Sequence, residues 1–332
     1  MAKPKVAFIG TGGTIASIGK DPLDIVDYGA NGVMLQADEI VAKFPEVHLV
    51  ADVIPVRYRA VPSYDIFFED WKAIGRLCTD LVAQHPDLAG IVVGHGTASL
   101  EETAYFLNLT LKVDVPVVVV GSQRPASALS TDAGFNLVNA IRTAASPEAR
   151  GMGVMVLLND EIHSAREVTK TSTFRLQTFR SPDFGVLGHA DGDRVAFYRA
   201  PLRRRMPDTE FDVSGLAALP RVDIAYSYTG SDGAAVRAFV AAGAQGIVSA
   251  GFAPGFAGSG DAAAMREAVA QGVTVMQCTR AGSGRMFRGT RLRESGFLVT
   301  DNLNPQKARL LLALALTVTR EPAEIERIFA TY

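Results

Sequence analysis

Strand-length apolar runs alternate with segments of helical period along most of the chain, and this alternation constrains the fold more than any other feature. The runs are apolar on both faces and rich in β-branched residues, as strands buried in a parallel sheet are. The segments between them place apolar residues three and four positions apart, which is the period of an amphipathic helix. Strands that alternate with helices pair in parallel through right-handed crossovers, so we predict a doubly wound α/β domain. The first strands are predicted at KVAFIG, GIVVG, VPVVVVG and GVMVLLND, and the first helices at DIFFEDWKAIGRLCTDLVAQ and TDAGFNLVNAIRTAA.

The alternation is interrupted between residues 200 and 220, where three prolines accompany the arginines 203 to 205. We interpret this stretch as an interdomain linker, and its arginines as a solvated face rather than an anion site. Residues 1–199 then form a larger N-terminal catalytic domain and residues 221–332 a smaller C-terminal α/β domain. In the smaller domain, strands are predicted at VDIAYSYTG, GIVSAGF and VTVMQCT, and a helix is predicted at NPQKARLLLALALT, with Asn304 as N-cap and Pro305 in its first turn.

Composition and charge argue against several classes of protein. A formal net charge of -2 and a pI near 6.2 offer no positive surface of the kind that nucleic acid or anionic membranes require. The first residues lack the pattern of a signal peptide, and no apolar run reaches the length of a membrane span, so we expect a soluble cytoplasmic protein. Cys78 and Cys278 lie within apolar segments and are expected to be separate buried thiols rather than a disulfide.

A glycine-rich turn, GTGGTIAS at residues 10–17, directly follows the first predicted strand. It lacks the third glycine of a dinucleotide fingerprint and the Gly-Lys-Ser/Thr ending of a phosphate loop, so no nucleotide cofactor is expected. The turn carries Thr11 and Thr14 at the edge of the sheet where ligands of such folds bind. These threonines belong either to a purely structural turn or to a binding site.

The strand GIVVG ends in a second turn of the same kind, which contains His95 and Thr97. Ser99 followed by Glu102 predicts a capping box, which explains both residues without catalysis. Thr97 has no such explanation and should face the same edge as Thr14. His95 is a candidate base, but a hydrogen-bonded structural role is the more ordinary one for a histidine beside a glycine at a strand end.

Lys170 lies among threonines in the polar segment REVTKTSTFRLQTF. A lysine in a partly buried pocket loses its charge readily enough to act as a base, although most lysines are simply solvated. The five histidines show no ligand spacing, and Asp160, Glu161 and His163 form a loop cluster without a further metal-binding partner nearby in sequence. No metal site is therefore expected.

The two threonine turns and the lysine, in this order, resemble the bacterial type II L-asparaginases, a family of homotetrameric amidohydrolases. TGGTIA is similar to the first signature of that family and HGTASLEETAYFL to the second. The resemblance continues along nearly the whole chain. It implies an asparaginase-like fold, a small-molecule amide substrate, no cofactor, and a homotetramer with its sites at subunit contacts. The further matching segments are GSQRP, STDAGFNLVNA, REVTKT, GIVSAG and NPQKARLLLALALT.

The family mechanism implies that Thr14 is the nucleophile, which attacks an amide carbonyl and forms an acyl-enzyme with help from Tyr28 on a mobile flap. Thr97 and Lys170 occupy the positions of the proton relay of the family. Ser63 occupies the position that binds the substrate carboxylate. Backbone amides of the glycine turns would stabilise the oxyanion.

Several positions depart from the family pattern. Ala98 stands where the family has an aspartate that holds the substrate α-amino group, and Tyr64 stands where a glutamine or acidic residue is common. Ala253 and Pro254 replace an asparagine that assists the same group. The segment in which a neighbouring subunit of the family supplies a glutamate here carries arginines instead, and we take Arg288 as the candidate for substrate binding; the others are Arg285 and Arg291.

An ammonium group buried without a carboxylate partner is unfavourable, whereas an added arginine favours a carboxylate. We therefore expect an amidohydrolase of altered specificity, whose substrate is a small carboxylate-bearing amide or imide with its α-amino group absent or modified. Two alternatives stay open. One is an ordinary L-asparaginase, and the other is a catalytically weak descendant that binds a small ligand.

Overall fold

The computed structural model describes residues 2–332, which divide into two compact units, one ending at Glu210 and the other spanning Phe211–Tyr332. The boundary falls inside the proline-containing stretch of residues 200–220. All residues from 198 to 221 are described, and they form no helix or strand.

The N-terminal unit is built around a large mixed sheet. Its strands are β1 (Lys5–Gly10), β2 (Ser17–Ile18), β3 (Val33–Met34), β4 (Asp52–Arg57), β5 (Leu88–Gly94), β6 (Val117–Val120), β7 (Val154–Leu158), β8 (Glu161–Ser164), β9 (Thr169–Lys170), β10 (Phe179–Arg180), β11 (Gly188–Ala190) and β12 (Val195–Phe197). Its α-helices are α1 (Ala37–Lys43), α2 (Val47–Val50), α3 (Phe68–Gln84), α4 (Leu100–Thr110) and α5 (Ala133–Ala145).

The eight-stranded sheet has the order β12-β11-β8-β7-β6-β5-β1-β4. Its strands from β7 to β4 are parallel, as the sequence predicts. The other edge is antiparallel, because the chain turns back between β7 and β8 at Asn159 and Asp160, both with positive φ (52° and 63°). Such residues suit a two-residue hairpin turn. The prediction of one strand through GVMVLLND is therefore wrong at its last two residues.

Successive residues of β1 enter two different cores. Phe8 packs with α1 and α5 on one face of the sheet, and Ile9 packs with α3 and α4 on the other. Helices thus cover both faces, which is why the parallel strands are apolar on both sides. This cover leaves the strand ends, rather than the faces, available for function.

The C-terminal unit contains a four-stranded parallel sheet of order β13-β14-β15-β16 and its own helices. The predicted cap at Asn304 is confirmed, because its side chain accepts a hydrogen bond from the Lys307 backbone N–H at 3.1 Å. The strands are β13 (Val222–Tyr226), β14 (Gly246–Gly251), β15 (Thr274–Thr279) and β16 (Leu298–Val299), and the helices are α6 (Ala234–Ala241), α7 (Ser259–Ala270), α8 (Thr290–Glu294), α9 (Pro305–Val318) and α10 (Pro322–Thr331).

Both cysteines are buried free thiols, as predicted. Burial raises the pKa of Cys78 to about 12 and that of Cys278 to about 11. Neither thiol is therefore ionised near neutral pH, and both act as small apolar side chains.

Candidate active site

The candidate site lies at the carboxyl ends of β1 and β5, which run parallel with Gly10 opposite Gly94. Thr11 links the two strand ends, because its N–H and its hydroxyl both donate to the Gly94 carbonyl, at 3.0 and 2.9 Å. Only 1% of Thr11 is exposed. Of the two threonines on the first turn, Thr11 is thus a structural residue, and Thr14 is the one left for chemistry.

Glycines allow the turns at this edge to touch backbone to backbone. Gly13 has a φ of 79°, and a Cβ added there would lie 2.1 Å from the Gly96 Cα. A Cβ on Gly96 would lie 2.8 Å from the Ser63 Oγ. A larger residue at either position would push the turns apart, so these glycines bring Thr14, Thr97 and Ser63 to one edge.

Thr14 and Tyr28 form the first hydroxyl pair of the site. Thr14 starts a 3-10 turn directly after the glycines, and its Oγ1 lies 2.8 Å from the Tyr28 Oη. Tyr28 comes from a separate 3-10 turn, Tyr28–Asn31. A hydroxyl nucleophile therefore has a proton acceptor within hydrogen-bonding distance.

Thr97 and Lys170 form the second pair, although 73 positions separate them in the chain. Lys170 lies in β9, and its Nζ donates a 2.7 Å hydrogen bond to the Thr97 Oγ1. Burial lowers the pKa of Lys170, and the negative charge of Glu101 partly opposes this effect. A lowered pKa makes the neutral amine, which can accept a proton, more accessible near neutral pH.

Glu101 contacts the same lysine from the first turn of α4. Its Oε1 accepts hydrogen bonds from the Thr169 hydroxyl (3.1 Å) and from the Lys170 backbone N–H (3.3 Å). Sequence reasoning did not assign this residue a role, because an acidic residue in a first helical turn is ordinary. Its position at the start of a largely apolar helical segment, LEETAYFLNL, was the available signal, since an acidic side chain buried there needs partners.

The predicted capping box at Ser99 and Glu102 is wrong. The Ser99 hydroxyl donates to the Ser63 carbonyl at 2.6 Å, and within residues 2–332 it makes no capping hydrogen bond to α4. The Ser99 N–H also donates to the Ser63 Oγ at 3.3 Å. Ser99 therefore ties the start of α4 to the loop that carries Ser63 through two hydrogen bonds, and its side chain does not cap the helix.

The predicted substrate-binding residues lie in different surroundings. Ser63 is buried in this double contact with Ser99, whereas 71% of the adjacent Tyr64 is exposed. Ala98 is exposed between Thr97 and Ser99 and presents only a methyl group. Their roles in substrate binding stay predictions.

Arg288 belongs to the C-terminal unit, and the other residues above belong to the N-terminal unit. Its guanidinium donates to the Phe297 carbonyl and to the Glu326 carboxylate, both at 2.7 Å. The neighbouring Arg285 contacts Asp301 at 3.0 Å. Binding of a substrate by Arg288 stays a prediction. The substrate would have to use guanidinium N–H groups that are not bonded to Phe297 or Glu326, or Arg288 would have to release Glu326.

His95 is a structural residue, as predicted. Its Nδ1 lies 2.8 Å from the Gly96 carbonyl, which can only accept, so Nδ1 carries the proton. Its Nε2 then accepts from the Thr103 hydroxyl (2.9 Å), whose oxygen accepts from the Trp71 indole N–H (2.8 Å). Burial lowers the pKa of His95 to about 4, which keeps the ring neutral at pH 7. Both ring nitrogens are engaged in holding the turn.

Comparison with known proteins identifies the family of the chain. The family model described as asparaginase, N-terminal, matches residues 5–203, and that described as glutaminase/asparaginase C-terminal domain matches residues 221–329. The chain is 41% identical over 329 residues to an L-asparaginase 2 from Bacillus subtilis (strain 168), covering 99% of this chain and 87% of that protein. It is 37% identical over 335 residues to an L-asparaginase 2 from Escherichia coli (strain K12), covering 100% and 94%.

A solved structure supports the same relationship. The crystal structure of a probable cytoplasmic L-asparaginase from Campylobacter jejuni superposes with a TM-score of 0.94 at 37% identity, covering 99% of this chain and 100% of that one. Both domains of the family are therefore present, in the expected order. The chain belongs to the asparaginase family and is a hydrolase of carbon–nitrogen bonds in linear amides.

Proposed function

We propose that this hydrolase cleaves a small carboxylate-bearing amide or imide through an acyl-enzyme on Thr14. The observation that carries the proposal is the 2.7 Å hydrogen bond between Lys170 Nζ and Thr97 Oγ1, at an edge where Thr14 Oγ1 is paired with the Tyr28 hydroxyl at 2.8 Å. One pair supplies a nucleophile and the other supplies a base.

In the first half of the reaction, the Thr14 Oγ1 attacks the substrate carbonyl carbon, its proton passes to the Tyr28 oxygen, and the Tyr28 hydroxyl proton passes on to the leaving nitrogen. The carbon–nitrogen bond then breaks, and the nitrogen of a primary amide, which has gained this proton, departs as ammonia. In the second half, a water molecule attacks the ester carbon while its proton passes through Thr97 to neutral Lys170. The ester bond to Thr14 then breaks, the Thr14 oxygen takes up the proton returned from Lys170, and the acid is released. The backbone N–H groups of the turns would stabilise the oxyanion in both halves.

The α-amino group of the substrate is proposed to be absent or modified, because Ala98 offers that group no partner. An ammonium without a carboxylate loses the interaction that compensates for its desolvation. We expect ammonia release from succinamate and N-acylated asparagines to exceed that from asparagine and glutamine. An Ala98→Asp variant should shift the preference towards asparagine. Asparagine being the best wild-type substrate by a wide margin would contradict this specificity.

An ordinary L-asparaginase is the second candidate, and the names of the similar proteins from Bacillus subtilis and Escherichia coli favour it. The substrate comparison above separates the two. Both candidates place the same four residues in catalysis, so the choice between them depends on the amino-group site alone.

Turnover itself is tested with Thr14→Ala, which we expect to lower kcat by about a thousandfold or more because no nucleophile remains. Thr14→Ser keeps a hydroxyl and is the matched control. Ligand binding, measured by calorimetry, should survive in both variants. Equal ammonia release by wild type and Thr14→Ala would favour the third alternative, a ligand-binding descendant whose residual activity arises elsewhere.

We also propose a homotetramer with sites at subunit contacts, and a cytoplasmic location. Within residues 2–332, no helix is both long and apolar enough to cross a membrane. The similar protein from Campylobacter jejuni is described as cytoplasmic, whereas a relative from Haemophilus influenzae is described as periplasmic. Fractionation of cells that produce the full chain distinguishes these compartments.

A further inference from the structure

We propose that Glu101 is a positioning residue for catalysis, which holds Lys170 in place and supplies the negative charge that its ammonium form needs. The inference rests on the proposed function, in which Lys170 is a base. It adds that Glu101 maintains the geometry in which Lys170 can act. It concerns a carboxylate in the first turn of α4, three positions after Ala98 in the chain.

Residues 97–101 hold both ends of Lys170. At one end of this segment, the Thr97 Oγ1 accepts the hydrogen bond from Nζ at 2.7 Å. At the other end, the Glu101 Oε1 accepts from the Lys170 backbone N–H at 3.3 Å and from the hydroxyl of Thr169 at 3.1 Å. The segment of residues 97–101, which leads into α4, therefore contacts both the backbone of β9 and the amine that Lys170 carries.

The position of Glu101 makes its charge effective. Only 7% of the residue is exposed, so water screens the carboxylate less than it would on the surface. Burial lowers the pKa of Lys170, and the charge of Glu101 raises it. Ala98 carries no charge, so among the described residues Glu101 is the acidic group whose charge raises the pKa of Lys170.

Other charged groups on the β10 side already have partners. Arg180 lies opposite Thr169, and its guanidinium is 3.4 Å from the Glu161 carboxylate. The second oxygen of Glu161 is 3.4 Å from the His163 Nε2. Tyr28, on the other turn, is hydrogen-bonded to Thr14.

On the α3 side, the buried Asp70 accepts a hydrogen bond from the Tyr58 hydroxyl at 2.7 Å and lies 3.3 Å from the Arg59 guanidinium. His95, which contacts α4 through Thr103, is neutral near pH 7. These contacts leave Glu101 as the carboxylate whose removal should change the titration of Lys170.

The test uses Glu101→Gln, which keeps the shape and the acceptor oxygen but removes the charge, and Glu101→Asp, which keeps the charge on a shorter side chain. Glu102→Gln, in the same turn of α4, is the matched control. The activity of a neutral lysine rises with pH through its pKa. We expect the acid limb of kcat/KM for Glu101→Gln to move about one pH unit lower, while kcat falls at least about tenfold.

Glu101→Asp should keep the acid limb within a few tenths of a pH unit of wild type and still lower kcat, because the shorter side chain reaches the β9 backbone less well. Glu102→Gln should reproduce the wild-type profile. An unchanged acid limb in a folded Glu101→Gln protein overturns the proposal. Should that variant fail to fold, a Glu101→Asp protein with the kcat of wild type overturns it instead.

A readout independent of activity keeps the inference distinct from the proposed function. Acetic anhydride acylates an amine only in its neutral form. The pH dependence of Lys170 acylation therefore reports its titration, and peptide mass spectrometry measures it. We expect the midpoint to be lower in Glu101→Gln than in wild type. Identical midpoints refute the inference, whereas failure of the wild type to release ammonia from any amide refutes the proposed function.

Discussion

His95 shows how a single residue at this edge is specialised for structure rather than for chemistry. It stands two positions before Thr97, yet its ring is fully buried and both nitrogens are hydrogen-bonded, to the Gly96 carbonyl and to Thr103. The neutral tautomer satisfies both contacts, whereas a protonated ring would lose its acceptor at Nε2. The residue therefore holds the turn on which Thr97 stands.

This burial predicts a pH-dependent stability. The pKa of His95 falls from its ordinary 6.5 to about 4 in the folded state. The unfolded chain then binds more protons between these two values, so the free energy of unfolding should decrease as the pH falls through this window, by about 1.4 kcal/mol per pH unit. His95→Gln removes the titration while keeping a donor and an acceptor. Urea unfolding of both proteins between pH 7 and pH 4 should show a shallower slope for the variant, and equal slopes would contradict the assignment.

At the scale of elements, the loop of residues 19–27 positions Tyr28. Asp24 is 8% exposed, and its carboxylate accepts from the backbone N–H groups of Lys20 (3.2 Å) and Asp27 (3.0 Å). The loop is also tied to the segment after β6, where the Leu129 N–H donates to the Pro22 carbonyl at 2.7 Å. We propose that this loop is the mobile flap expected from the family, and in the structure the tyrosine that directly follows it is hydrogen-bonded to Thr14.

Loss of the Asp24 contacts should loosen the loop. We expect Asp24→Ala to lower kcat/KM by about tenfold, because the hydroxyl of Tyr28 is then held less often against Thr14. Asp21→Ala is the matched control, since the Asp21 carboxylate accepts from the exposed Leu23 N–H. Hydrogen exchange of residues 19–31 should accelerate in the first variant alone. Unchanged exchange together with unchanged kcat/KM would show that Asp24 does not hold the loop.

At the scale of the whole molecule, each unit has its own parallel sheet and its own buried core. Thr14, Thr97 and Lys170 belong to the N-terminal unit, and the proposed substrate-binding Arg288 to the C-terminal one. In the homotetramer that we propose, a neighbouring subunit would complete each site. A chain without a functional Thr14 could then still contribute Arg288 to the site of its neighbour, and the reverse would hold for a chain without Arg288.

Light scattering should therefore give four times the 35.3 kDa of one chain. A complementation experiment tests the sharing of sites. Thr14→Ala and Arg288→Ala chains should each be weakly active alone, and their coexpression should restore activity, because some sites then combine an intact Thr14 with an intact Arg288. Absence of recovery in verified mixed tetramers would show that both residues serve the same subunit, or that Arg288 does not bind substrate.

Features that depend on near neighbours along the chain were predictable from the sequence. Apolar runs with helical segments between them predict β1, β5 and β6 as buried parallel strands, and the structure pairs them in this way. The pattern is informative because strands that are apolar on both sides need helices packed on both faces of the sheet. The cap at Asn304 depends on residues three positions apart. Thr14 and Thr97 were predicted as site residues because each lies on a glycine turn at the carboxyl end of a strand, where parallel sheets bind ligands.

The residues that meet at that edge could not be predicted from local sequence, because they come from distant parts of the chain. Glu101 and Lys170 lie 69 positions apart, and Ser99 and Ser63 lie 36 apart, so their contacts depend on the order of strands rather than on local pattern. That order also made Ser99 a tie between loops instead of a cap. The short antiparallel strands after β7 carry too few residues for a periodic signal, and their pairing is set by neighbours that the local sequence does not contain.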